Sequence, residues 1–269
     1  MEALRQVDDW GAGEVAVGVA AADGVLATHG RLDHVFHWAS VTKLATALAA
    51  LVAAEEGAVD LDAPAGPPGS TLRHLLAHAS GLALDDGPPI ARPGERRIYS
   101  NAGFELVAET VAAGAEMSFT EYLDGAVLRP LGLAAGLRGS PASELHGSLD
   151  DLLVLGRELL APTIVAEETL AEATEVAFPG LVGVLPGFGR QDPNDWGLGF
   201  ELRDAKSPHW TGARNSPRTF GHFGQSGTFL WVDPEAGLAL ACLTDLDFAD
   251  WAKEAWPRLS DAVLDAVRS

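Results

Sequence analysis

Apolar and polar positions alternate in two short runs near the start of the chain, EVAVGVAAADGVLATH at 14–29, with Asp23-Gly24 between them. That pattern predicts a pair of antiparallel strands joined by a tight turn. From Ser40 to Glu56 the spacing changes to SVTKLATALAALVAAEE, rich in Ala and Leu and free of Gly and Pro, which predicts a helix stopped by Gly57. Between about 60 and 185 the chain breaks into short helical stretches cut by Gly and Pro. Their starts carry capping signals: Ser70 or Thr71, Tyr99-Ser100-Asn101, Ser118 with Glu121, and Ser148 with Asp151. Alternation returns in GLGFELR (197–203), GTFLWVD (227–233) and LALACLT (238–244), and residues 249–268 read as a closing amphipathic helix.

The order of these elements predicts an α+β fold. An antiparallel sheet is flanked by helices from both ends of the chain, and a helical insertion separates its two halves. The expected division is a discontinuous sheet subdomain, 1–60 with 190–269, and a helical subdomain, 61–189.

The 269 residues are enough for a real core, and 47% hydrophobic content argues against disorder. The formal charge of −20 repels phosphate backbones and anionic lipid, so neither a nucleic-acid nor a membrane partner is expected. Part of this charge is local, since residues 140–176 hold eight acids and only Arg157 as a base. MEALRQVDDW has no apolar core of the kind a secretory leader needs, so a cytoplasmic protein is expected. The one cysteine, Cys242, lies in an apolar strand and reads as a packed thiol.

Ser40 and Lys43 stand three apart at the start of the helix predicted from Ser40, which puts hydroxyl and amine on one face near the positive end of the helix dipole. Lysine serves as a base only where burial or nearby positive charge depresses its pKa. With 13 Ser and 3 Lys in the chain, chance supplies about 0.15 such pairs, so the spacing alone is moderate evidence. Tyr99-Ser100-Asn101 is sharper, because two Tyr and three Asn predict only about 0.02 occurrences. Its phenol can move a proton and its amide can hold a substrate. His222-Phe223-Gly224 is expected about once by chance, and its value comes from its place at the start of a predicted strand.

In this order the three motifs resemble the serine β-lactamase and penicillin-recognising enzyme family: S-x-x-K, Y-x-N, then K-T-G or H-x-G. The resemblance is to the branch of class C β-lactamases and their esterase and peptidase relatives. It extends to FHWASVTK (36–43), similar to F-x-x-A-S-x-T-K, to TLRHLLAHASG (71–81), similar to T-I-R-H-L-L-T-H-T-S-G, to RPLG (129–132) and to GHFGQSGTFLWVDPEAG (221–237). The resemblance implies the β-lactamase/transpeptidase-like fold and a serine hydrolase needing no cofactor or metal. It implies Ser40 as the nucleophile and Lys43 and Tyr99 as sharers of the general-base work. Asn101, His222 and Gly224 would bind substrate, and the backbone N–H groups of Ser40 and Gln225 would form the oxyanion hole.

His222 stands where β-lactamases and penicillin-binding proteins usually carry Lys. The expected activity is therefore hydrolysis of small esters or amides through a Ser40 acyl-enzyme, with a small-molecule substrate as partner. The alternatives are a β-lactamase or D-amino-acid peptidase, and a sensor with the fold but little turnover. His74 and His78, an i, i+4 pair, lack the Glu of a zinc helix, and His34 and His37 offer no better spacing. Arg203, Lys206, Arg214 and Arg218 make a local excess of positive charge that raises the expectation of an anion-steering patch.

Overall fold

The computed structural model describes residues 1–268. Its strands are Val15–Ala21 (β1), Gly24–Gly30 (β2), Phe36–His37 (β3), Gly136–Leu137 (β4), Leu145–Gly147 (β5), Gly183–Leu185 (β6), Gly189–Gln191 (β7), Glu201–Leu202 (β8), Phe220–Gly224 (β9), Thr228–Asp233 (β10) and Leu238–Thr244 (β11). The α-helices are Thr42–Glu55 (α1), Leu72–Leu76 (α2), Asn101–Ala115 (α3), Phe119–Leu123 (α4), Leu149–Glu158 (α5), Glu167–Ala173 (α6) and Asp250–Arg268 (α7).

Six strands form an antiparallel sheet in the order β2-β1-β11-β10-β9-β8, which brings the first hairpin of the chain against its last. Both faces of this sheet are covered, which is why its central strands are apolar almost without a break. Along β10, Leu230 and Val232 face the larger core with α1, α3 and α5. Phe229 and Trp231 face a second core with α7 and the 3-10 turn Glu2–Asp9. The period-two split repeats on β11, where Ala239, Ala241 and Leu243 enter the first core and Leu240 and Cys242 the second. Cys242 is thus a packing residue, its thiol pushed up by burial.

Thr71, Ser118 and Ser148 cap α2, α4 and α5 with full capping boxes, and Ser100 caps α3 through Gly103 N at 3.0 Å. Gly57 follows α1 with φ +75°. Two sequence expectations change. GLGFELR yields only the two-residue strand β8, because Gly199 adopts φ +91° and Gly197 lies so close to the Ala173 carbonyl that a side chain has no room. Ser40 does not sit on the α-helix itself but on a 3-10 turn, Ala39–Val41, that leads into it. In the acidic 140–176 stretch, Asp151 accepts from Ala134 N and Glu158 from the N–H groups of Thr163 and Ile164, so part of that charge ties loops to α5. Among the described residues, no helix is long and apolar enough to cross a membrane.

Candidate active site

The segment before Ser40 is fixed from two sides. Ser226 Oγ donates to the His37 carbonyl at 2.7 Å and Thr228 Oγ1 to the Trp38 carbonyl at 2.9 Å, joining it to the β9–β10 turn. Trp38 Nε1 donates to the Gly147 carbonyl at 3.2 Å, joining it to β5. Between these anchors Ala39 is held at φ +45°, a left-handed conformation costing about 1–2 kcal/mol for an L-residue. Gly224 makes the close approach possible, since a Cβ there would lie 2.6 Å from the Trp38 carbonyl and 2.9 Å from the Ala39 side chain. The end of β9 at Gly224, and the turn that Gln225 begins, are therefore set against the turn carrying Ser40.

Ser40 Oγ accepts a hydrogen bond from the Tyr99 hydroxyl at 2.8 Å and one from Lys43 Nζ at 3.3 Å. Lys43 is fully buried and also donates to Asn101 Oδ1 at 2.8 Å and the Ala142 carbonyl at 2.9 Å. Its Nζ lies 4.8 Å from the centre of the Tyr99 ring. Burial brings the Lys43 ammonium down to about 7, against the opposing pull of the Glu105 and Asp85 carboxylates. Burial acts the other way on Tyr99, pushing its phenol well above the ordinary value, with the Ser40 hydrogen bond opposing. At neutral pH the site thus holds an amine close to its titration point and a fully protonated phenol.

Asn101 opens α3 and is clamped at both ends, its Oδ1 by Lys43 and its Nδ2 by the exposed Asp85 at 3.0 Å. His222 is buried on β9, donates from Nδ1 to the Phe223 carbonyl at 2.7 Å, and packs 5.8 Å from the Tyr99 ring. Burial and the nearby Lys43 bring His222 down to about 3, so it is neutral throughout the physiological range. Gln225 is exposed; its amide donates to the Phe248 carbonyl at 3.2 Å and its own carbonyl accepts from Phe248 N at 2.7 Å. Ser40, Lys43, Tyr99 and Asn101 are thus directly hydrogen-bonded together, and His222 and Gly224 flank them.

Several residues behind this set were not singled out from sequence for such a role. His78, considered above only as half of a metal pair, holds the backbone on both sides of Tyr99. Its carbonyl accepts from Ile98 N at 2.9 Å and its Nδ1 from Ser100 N at 3.1 Å. Burial keeps this imidazole neutral, as an acceptor must be. Trp196 lies edge-on to His78 at 4.6 Å and within 5.8 Å of Tyr99. The buried Arg97 donates to the carbonyls of Ala77, Ala177, Phe178 and Asn194, fixing the loops that bring Trp196 there. The signals were one His at the end of a short helix and one Arg two residues before Tyr99, neither distinctive alone.

The anion-steering expectation is overturned. Lys206 is buried against the Glu201 carboxylate, which also accepts from His209 Nε2 at 2.8 Å and Trp210 Nε1 at 2.9 Å. Burial opposes ionisation of Glu201, but His209 and Lys206 outweigh it and hold the carboxylate at about 2. Arg214 pairs with Asp265, Arg218 with Glu175, and Arg203 donates to two backbone carbonyls. A cavity of about 550 Å³ between α6 and the Asp204–Phe220 region includes none of the site residues.

The β-lactamase family model matches residues 6–136 and 133–264, nearly the whole chain. The chain belongs to the β-lactamase family. Its fold matches that of a β-lactamase from Mycobacterium bovis at 55% identity, with 98% of each chain covered and a TM-score of 0.97. EstCE1, a hydrolase with promiscuous acyltransferase activity, is 18% identical over 98% of this chain and 97% of that one, with a TM-score of 0.80. Simvastatin synthase from Aspergillus terreus is 17% identical over 99% and 94%, with a TM-score of 0.78. These two distant likenesses show the fold. No curated protein matches the chain in sequence. Members of the family are generally serine hydrolases.

Proposed function

We propose that this β-lactamase-family protein hydrolyses small esters or amides through an acyl-enzyme on Ser40. The observation that carries the reading is the Ser40 hydroxyl held between the Tyr99 phenol at 2.8 Å and a Lys43 amine brought down to about 7. The free amine of Lys43 takes the Ser40 proton as Oγ adds to the substrate carbonyl carbon, and the carbonyl electron pair moves onto oxygen. Backbone N–H groups of Ser40 and Gln225 stabilise that oxyanion. Collapse restores the carbonyl and expels the leaving group, which takes the phenolic proton of Tyr99. The ammonium proton of Lys43 then replaces it. Water repeats the sequence on the acyl-enzyme, giving its proton to the same pair and returning one to Ser40. In this reading Lys43 is the base and Tyr99 the proton carrier.

The name of the Mycobacterium bovis relative favours a β-lactam as the alternative acyl donor. His222 speaks against it, because a neutral imidazole gives the carboxylate of a β-lactam no positive charge to bind. Initial rates on a short-chain nitrophenyl ester and a chromogenic cephalosporin decide between the two. The ester is expected to show the higher kcat/KM, by about tenfold or more, since a missing ion pair to a buried carboxylate costs at least one factor of ten. A cephalosporin preference would overturn the ester reading.

Tyr99→Phe removes only the hydroxyl and keeps the ring packed against His78 and Trp196. Loss of its proton transfer is expected to cut kcat by about 10²–10³-fold with little change in KM. A variant within threefold of the native rate would mean that Tyr99 carries no proton.

A further inference from the structure

We propose that His37, Glu144 and His146 form a binding site for a divalent transition-metal ion of the Zn²⁺ class, beside the hydrolytic site and distinct from it. The three residues come from two places more than a hundred positions apart, joined by strand pairing. β3 and β5 are antiparallel with His37 opposite His146, and the two imidazole rings stack with centroids 4.8 Å apart. Glu144 lies two residues before His146, which in extended chain returns its side chain to the same face.

The distances fit one ion. His37 Nε2 is 3.3 Å from Glu144 Oε1, and His146 Nε2 is 3.6 Å from Glu144 Oε2. One ligand atom from each residue lies within 4.8 Å of the others. Zn–N and Zn–O bonds of about 2.0–2.2 Å at tetrahedral angles place neighbouring donors roughly 3.3–3.6 Å apart, the range of both imidazole–carboxylate approaches, which reach the two different oxygens of Glu144. Closure on one ion takes a turn of the Glu144 carboxylate and of the His37 ring, which gives up the Ser143 carbonyl. Two imidazole nitrogens and a carboxylate oxygen suit Zn²⁺, Ni²⁺ or Cu²⁺, whereas Mg²⁺ and Ca²⁺ need oxygen donors. Three protein ligands leave a fourth position for water.

All three side chains are partly exposed, so an ion reaches them from solvent. The other charged neighbour is Arg138, whose backbone N–H is bonded to the Glu144 carbonyl. His37 Nε2 also faces the Ser143 carbonyl at 2.7 Å; to bind the ion through Nε2 the neutral ring takes the tautomer protonated at Nδ1 and gives up that bond. The strands it would clamp are those that frame the hydrolytic site. β3 runs into Ser40 three residues later, and the chain two residues before Glu144 supplies the Ala142 carbonyl that holds Lys43. The expected consequence is a more stable fold, readable without any substrate.

Titration of the intact protein with ZnCl₂, followed by calorimetry and by thermal melting, tests the site. One Zn²⁺ per chain is expected, with Tm rising by roughly 5 °C at a hundredfold excess over Kd. Mg²⁺ is expected to have no effect. His146→Gln and Glu144→Gln should each weaken binding by about tenfold or more and remove the Tm increase, while His34→Gln changes neither. The metal-free Tm of each variant separates loss of the ion from loss of the fold. Absence of a one-to-one isotherm, or equal affinity in wild type, His146→Gln and Glu144→Gln, would overturn the proposal.

Discussion

Ser40→Ala is expected to lower ester turnover by about 10⁴–10⁶-fold, to the level that the oxyanion donors and binding alone provide. Ser40 Oγ is the one atom on which the Tyr99 and Lys43 hydrogen bonds converge. Its removal leaves the proton-transfer pair in place with nothing to activate. The fold should change little. Lys43 keeps Asn101 and the Ala142 carbonyl, and Tyr99 keeps its ring contacts. The expected cost in stability is about 1–3 kcal/mol, that of the two hydrogen bonds lost from Tyr99 and Lys43. Circular dichroism and a thermal melt beside the kinetics check both halves. Residual turnover above a few per cent would place the nucleophile elsewhere.

Lys43→Met is expected to lower kcat/KM by about 10³–10⁴-fold and to abolish its pH dependence near neutrality. In the native protein, kcat/KM should rise about tenfold per pH unit below the Lys43 value of about 7 and level off above it, because only the free amine accepts the Ser40 proton. The same shift predicts a stability difference of definite sign. An unfolded chain keeps this amine protonated up to 10.5, while the folded chain releases the proton near 7. Between those values the unfolded state binds more protons, so native stability rises with pH relative to Lys43→Met, by up to about 1.4 kcal/mol per unit. Below pH 7 the penalty of a buried ammonium is present in full. Denaturant midpoints of both proteins at pH 6, 8 and 9.5 give the difference; parallel profiles would mean that Lys43 titrates near its ordinary value.

What could be read in the sequence follows from how local each feature is. The Ser40–Lys43 pair lies within one helical turn, and Ser100 caps the helix that Asn101 opens, so spacing and capping rules reach both. The sheet halves were legible because β10 and β11 are apolar on both faces and the loop between them is polar. GLGFELR misled because alternation is blind to a backbone approach such as Gly197 against the Ala173 carbonyl. The Arg and Lys residues at 203–218 misled for a related reason. Net local charge does not reveal that Lys206 turns inward to Glu201, or that Arg214 meets Asp265 from α7. His78 and Asp85 act on Tyr99 and Asn101 across loops whose path no periodicity encodes. His37 and His146 meet only through the register of two very short strands, too short to be read from sequence.

The central claim is that Ser40 is the residue that becomes acylated. Brief incubation with a serine-reactive phosphonate, then intact-protein mass measurement and peptide mapping, tests it most directly. The account predicts one adduct per chain on the peptide containing Ser40, and none in Ser40→Ala. No adduct in the native protein, or one that persists in Ser40→Ala, would contradict it.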